Sequence, residues 1–156
     1  MTDGGDVLVI GYGNPGRLDD GLGPALAAEL ERLQLPGVDV EANYQLTVED
    51  AAAIAAHEVV VFADAAAAGD EPFTFRPVQP RADFGFSTHG VEAPAVLGLA
   101  HDLFSASTRG YILGIRGYEF DEFGERLSPP ARANLAAAIE FLLPVLRRRT
   151  FEEVAA

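Results

Sequence analysis

The stretch GYGNPGRLDDGLG, Gly11–Gly23, follows directly on the apolar run Val7-Leu8-Val9-Ile10. Four continuous apolar residues ahead of a glycine-rich loop read as a strand buried on both faces. Gly11, Gly13 and Gly16 satisfy G-x-G-x-x-G, the spacing of a dinucleotide-binding turn. The loop then runs into Asp19 and Asp20, two carboxylates where a pyrophosphate would dock. Like charges in a partly dry site repel strongly, so the loop reads better as a cradle for a cation than for an anion. Glu41 is the acid that a ribose would need on the dinucleotide reading, which stays open as an alternative.

Outward from this loop the pattern alternates between strand and helix. Pro24 opens a helical repeat through Leu26, Leu30 and Leu33, closed by Pro36-Gly37. Residues 38–44 alternate as a second strand. Thr47-Val48-Glu49-Asp50 resembles a capping box opening an alanine-rich helix to about residue 56. Val59-Val60-Val61-Phe62-Ala63 is the most apolar strand and stops at Asp64. Residues 73–78 alternate among prolines, the mark of an edge strand. A loop over 81–88, with Ser87-Thr88-His89, leads to a helix over 91–104. Residues 111–115 form another buried strand, followed by a polar loop over 116–127. Ser128 caps a helix that has Pro129 in its first turn and Arg147-Arg148-Arg149 at its end. Residues 150–156 read as a frayed tail. The alternation predicts one α/β domain over residues 1–156, a three-layer α/β/α sandwich on a mostly parallel sheet.

Composition narrows the function. The net charge of −13 argues against nucleic acid and anionic membrane surfaces as partners. With no cysteine there is no disulfide, thiolate nucleophile or Cys-ligated zinc. Every basic residue is Arg, so Schiff-base chemistry and a Walker lysine are absent. The acidic start, Met1–Asp6, does not read as a signal peptide, no run reaches transmembrane length, and a reducing cytoplasm is compatible with the absence of cysteine.

Ligands of parallel sheets sit beyond the carboxyl ends of the strands. Asp20 after the first strand, Asp64 at the end of the third and His89 after the edge strand all fall there. Two carboxylates and an imidazole form an N/O donor set suited to a divalent transition metal. A helix start at Asp19 and Asp20, an Asx turn at Asp64 and a backbone-bonded ring at His89 are the plain structural alternatives. His57 reads as a surface residue and His101 as structural. No G-x-S-x-G or H-E-x-x-H occurs.

These segments together resemble the maturation endopeptidases of [NiFe] hydrogenases. The resemblance rests on VLVIGYGNPGRLDDGLGPALAAEL at 7–30, VVVFADAA at 59–66, STHG at 87–90 and GIRGYEFDEFGERLSP at 114–129. It implies a five-stranded sheet, here mostly parallel with one antiparallel edge strand. It implies a cytoplasmic endopeptidase that removes the C-terminal extension of a hydrogenase large-subunit precursor after nickel insertion. By motif, the metal-contacting residues fall on Asp20, Asp64 and His89, with Asp20 and Asp64 as the catalytic pair. The nickel arrives with the substrate, and no nucleotide is needed. Several members carry Glu where this chain has Asp20, and members commonly read Arg-Gly-Asp-Asp where it has Arg17-Leu18-Asp19-Asp20. Gln45-Leu46-Thr47 resembles the branch serving cytoplasmic, cofactor-reducing hydrogenases. A non-enzymatic nickel-binding maturation chaperone using the same three residues is the second reading, and a distant aminopeptidase-like relative another.

Overall fold

The computed structural model describes residues 6–81 and 91–156. They build a five-stranded sheet from β1 (Val7–Tyr12), β2 (Val38–Asn43), β3 (Val59–Ala66), β4 (Phe73–Val78) and β5 (Arg109–Arg116), in the order β2-β1-β3-β5-β4. All pairings are parallel except β4 on β5. The five strands, the parallel majority and the antiparallel edge agree with the expected architecture.

Side chains alternate across this sheet and sort into two cores. Val7, Val9, Val59 and Val61 face helices α1 (Leu22–Leu33) and α4 (Pro129–Arg148). Leu8, Ile10, Val60 and Phe62 face α2 (Asp50–Ala55) and α3 (Ala93–Phe104). Burial on both faces explains why β1 and the start of β3 are unbroken apolar runs.

Three segments depart from the expectation. The capping-box segment is a turn, and α2 opens at Asp50 instead of Thr47. The Asp50 carboxylate accepts the Thr47 N–H at 2.8 Å, so the acid reaches back as in a capping box one turn before the helix. β3 does not stop at Asp64 but continues to Ala66, because β5 goes on pairing with it at Asp64↔Gly114 and Ala66↔Arg116. Residues 150–156 are not frayed. They hold a short helix α5 (Phe151–Val154), with Phe151 buried and stacked on Tyr111 at 5.5 Å between ring centres. The Ala156 N–H donates to the Phe75 carbonyl at 3.0 Å.

α1 lies unusually close to β1. A Cβ on Gly11 would sit 2.1 Å from the Gly23 carbonyl oxygen, and one on Gly23 would sit 2.5 Å from that of Tyr12. In a dinucleotide turn the third glycine of the motif serves this close packing. Here that work falls to Gly23, whereas an added Cβ on Gly16 would meet only the Asn14 side chain, at 3.2 Å.

Candidate active site

β1 feeds α1 and then β2 on one side, while β3 lies on the other side of β1. The two central strands diverge after Gly11↔Ala63, the last pair of their register. A crevice at such a switch point is where α/β sheets bind ligands. It holds a cavity of about 640 Å³ whose wall includes Tyr12, Asn14, Arg17, Asp20, Asp64 and Phe120. Gly13, Tyr44, Gln45, Leu46 and Val91 complete it.

Asp20 comes from a 3-10 turn, Leu18–Gly21, between β1 and α1. Its Oδ2 accepts the Asn14 N–H at 2.7 Å, and Asn14 Oδ1 accepts the Gly16 N–H at 2.8 Å. Two amides that a phosphate would need in a dinucleotide turn are thus committed within the loop. Among the described residues no hydrogen bond reaches Asp20 Oδ1. Gly13 makes the fit possible: its φ is +142°, and a Cβ there would lie 2.1 Å from the Asp20 carbonyl oxygen.

Asp64 projects from β3 on the face shared with Phe62 and Val60. Its Oδ1 accepts the N–H of Ala65 at 2.8 Å, and the Tyr12 hydroxyl lies close enough to its carboxylate to influence it electrostatically. Burial pushes the Asp64 carboxyl up to about 7, helped by the negative charge of Asp20 and opposed by the Ala65 hydrogen bond and the nearby Tyr12 hydroxyl. Burial and the adjacent carboxylate likewise push the Tyr12 phenol well above its ordinary range. Such a carboxyl holds or releases a proton close to neutral pH, as general acid–base chemistry requires. Tyr12 is legible only in hindsight: it shares the parity of Ile10 on β1, hence the face of Asp64.

Asp19 points the other way and is fully buried. It accepts the N–H groups of Tyr118 and Glu119 at 2.8 and 3.0 Å, and the N–H and hydroxyl of Ser128 at 2.8 and 2.7 Å. Burial raises its carboxyl, yet these donors, Ser128 foremost, outweigh that and hold it below the ordinary range. Leu18 stands at φ +52°, a conformation that glycine adopts more easily. Its side chain is buried, and its N–H donates to the Gly124 carbonyl at 2.9 Å. The loop carrying Asp20 is thereby tied at two points to the segment after β5.

The structure therefore brings Asp20 and Asp64 into one cavity, while His89 lies outside the described residues. Among those residues no group of three or more His, Asp or Glu side chains is arranged to hold a metal. Glu41 lies elsewhere, lining a separate cavity of about 390 Å³ with Asp39 and His57. His57 is not a surface residue: its side chain is 10% exposed, with ring nitrogens 2.7 Å from both the Ala53 carbonyl and Asp39 Oδ2. His101 is structural as expected, with Nε2 2.8 Å from the Thr108 carbonyl. Among the described residues no helix is long and apolar enough to cross a membrane.

No protein-family model and no curated protein matches the chain. Among solved structures its fold is that of proteins described as hydrogenase maturation proteases. A [NiFe] hydrogenase maturation protease HycI from Thermococcus kodakarensis KOD1 superposes with a TM-score of 0.70 at 24% identity, covering 90% of this chain and 92% of that one. The hydrogenase maturating endopeptidase HybD of E. coli gives 0.68 at 20% identity, over 92% and 93% of the two chains. A hydrogenase 2 maturation peptidase from Thaumarchaeota archaeon SCGC_AB-539-E09 gives 0.66 at 23% identity, over 90% and 97%.

Proposed function

We propose that this protein is an endopeptidase that removes the C-terminal extension of a [NiFe] hydrogenase large-subunit precursor in the cytoplasm. It acts after nickel insertion and recognises the nickel that the substrate carries. The observation that carries this reading is the meeting of Asp20 and Asp64, from separate elements, in one switch-point cavity of the fold that hydrogenase maturation proteases share. The nickel is part of the substrate in this reading, and Asp20, Asp64 and His89 contact it. Val91, two residues beyond His89 in the chain, lines the cavity, which supports including the histidine.

Asp64 takes a proton from water as the water attacks the scissile carbonyl, and returns it to the departing amine. Asp20 keeps Oδ1 available for the substrate's metal. The test is mass spectrometry of large-subunit precursors, with and without nickel, after exposure to the protein. Shortening of the nickel-loaded precursor alone is the expected result. Equal trimming of both forms would reject nickel recognition. An unchanged chain length with transfer of metal would favour the chaperone reading instead.

A further inference from the structure

Beside the carboxylate cavity lies a second recess of about 280 Å³, lined by Gly13, Pro15, Pro24, Ala42, Asn43 and Tyr44. It adjoins the first, with Gly13 and Tyr44 standing in both walls. Its chemistry is the opposite. No charged side chain lines it, and the two prolines, Ala42 and the Tyr44 ring supply apolar surface. The Asn43 side-chain amide nitrogen is 3.5 Å from Asp50 Oδ1. Tyr44 is 73% exposed, and Ala42 and Pro15 are exposed too, so this apolar surface stands in water among the described residues.

The recess is also firmly built. Pro24 belongs to the first turn of α1, which the Gly11–Gly23 contact seats on β1. Ala42 and Asn43 are the last residues of β2, and the Gly13 N–H donates to the Asn43 carbonyl at 3.0 Å. A preformed apolar recess beside a polar reaction cavity selects a side chain, while the cavity handles the backbone next to it. The geometry points to a specificity subsite here that takes a leucine-sized aliphatic side chain of the cleaved polypeptide, close in sequence to the scissile bond. This assignment rests on the endopeptidase reading for the nature of its ligand.

Two measurements test it independently. In the first, N-acetyl-leucine amide is titrated into the isotope-labelled full chain and followed by amide NMR. N-acetyl-glycine amide is the control. Leucine-specific shifts at Gly13, Ala42 and Tyr44 are expected, and Ala42→Phe, which fills the recess from an exposed position, should abolish them. Absence of leucine-specific shifts there overturns the subsite, whatever the protein cleaves. In the second, precursor processing is compared between the parent chain, Ala42→Phe and Tyr44→Ser. Loss of kcat/KM by about ten- to hundredfold is expected, the range for losing burial of one aliphatic side chain. If the parent cuts and both variants cut equally well, the subsite is rejected and the endopeptidase reading stands. If the parent cuts no precursor, that reading fails, and the NMR titration alone decides whether the recess takes an aliphatic group.

Discussion

Asp19 and Ser128 are 109 residues apart in the chain and share two hydrogen bonds, from the Ser128 N–H at 2.8 Å and its hydroxyl at 2.7 Å. The same Ser128 Oγ accepts the Ala131 N–H at 3.3 Å and so caps α4. One contact therefore joins the loop that carries Asp20 to the start of the last long helix.

Removing that contact should be costly. Asp19→Asn leaves buried donors without their carboxylate and is expected to destabilise the fold by about 2–3 kcal/mol. Ser128→Ala, which loses both the cap and the bond to Asp19, should cost about 1–2 kcal/mol. Urea denaturation at pH 7 measures both. Because the folded carboxyl is held below its unfolded value, its stabilisation is fully present above about pH 4 and is lost as pH falls through the lowered folded value. Acid unfolding below that pH should be shallower in Asp19→Asn.

Asp64 works with the opposite sign. Its folded value is raised from 3.8 to about 7, so the folded chain keeps a proton that the unfolded chain has released. Between those values the metal-free chain should lose stability as pH rises. Asp64→Asn removes that slope while its side-chain carbonyl can still accept the Ala65 N–H. Thermal melts at pH 5 and pH 8 should show the variant melting at or above the parent at pH 8, with precursor processing abolished. A variant that processes precursor normally would remove Asp64 from the mechanism.

The seat of α1 gives a third expectation. Gly23→Ala places a Cβ 2.5 Å from the Tyr12 carbonyl oxygen and 2.6 Å from that of Ala63. Backbone must move, at a cost of about 3 kcal/mol, and the Asp20 loop moves with it. Circular-dichroism melting should show the loss, and processing should fall further than the melting shift explains. Gly16→Ala, which meets only the Asn14 side chain, should be mild in both measurements.

The C-terminal segment should matter to stability and not to chemistry. Phe151 is 1% exposed and stacks on Tyr111 of β5. Phe151→Ala should cost about 3–5 kcal/mol in chemical denaturation. At temperatures where the variant remains folded, its processing rate should match the parent.

Much of the fold was legible because burial leaves a strong mark on composition. Val7–Ile10 and Val59–Ala63 had to be strands covered on both faces, and Ser128-Pro129 had to open a helix. The docking of Phe151 was not legible, since a single aromatic in a short charged tail carries no period. His57 was misjudged for a similar reason: its partners, Ala53 and Asp39, lie on α2 and on the edge strand β2.

The amino-acid order alone determined the alternation of strands and helices, and hence that Asp20 follows a strand at the carboxyl edge of a parallel sheet. Local backbone preferences and apolar periodicity act over a few residues, so a linear reading captures them. Only the tertiary structure decided that Asp64 lies within β3 where β1 turns away, that Tyr12 shares its cavity, and that Asp19 serves the scaffold while Asp20 faces that cavity. Those outcomes depend on strand order and register, which are fixed by burying two core faces at once and cannot be read from any one segment.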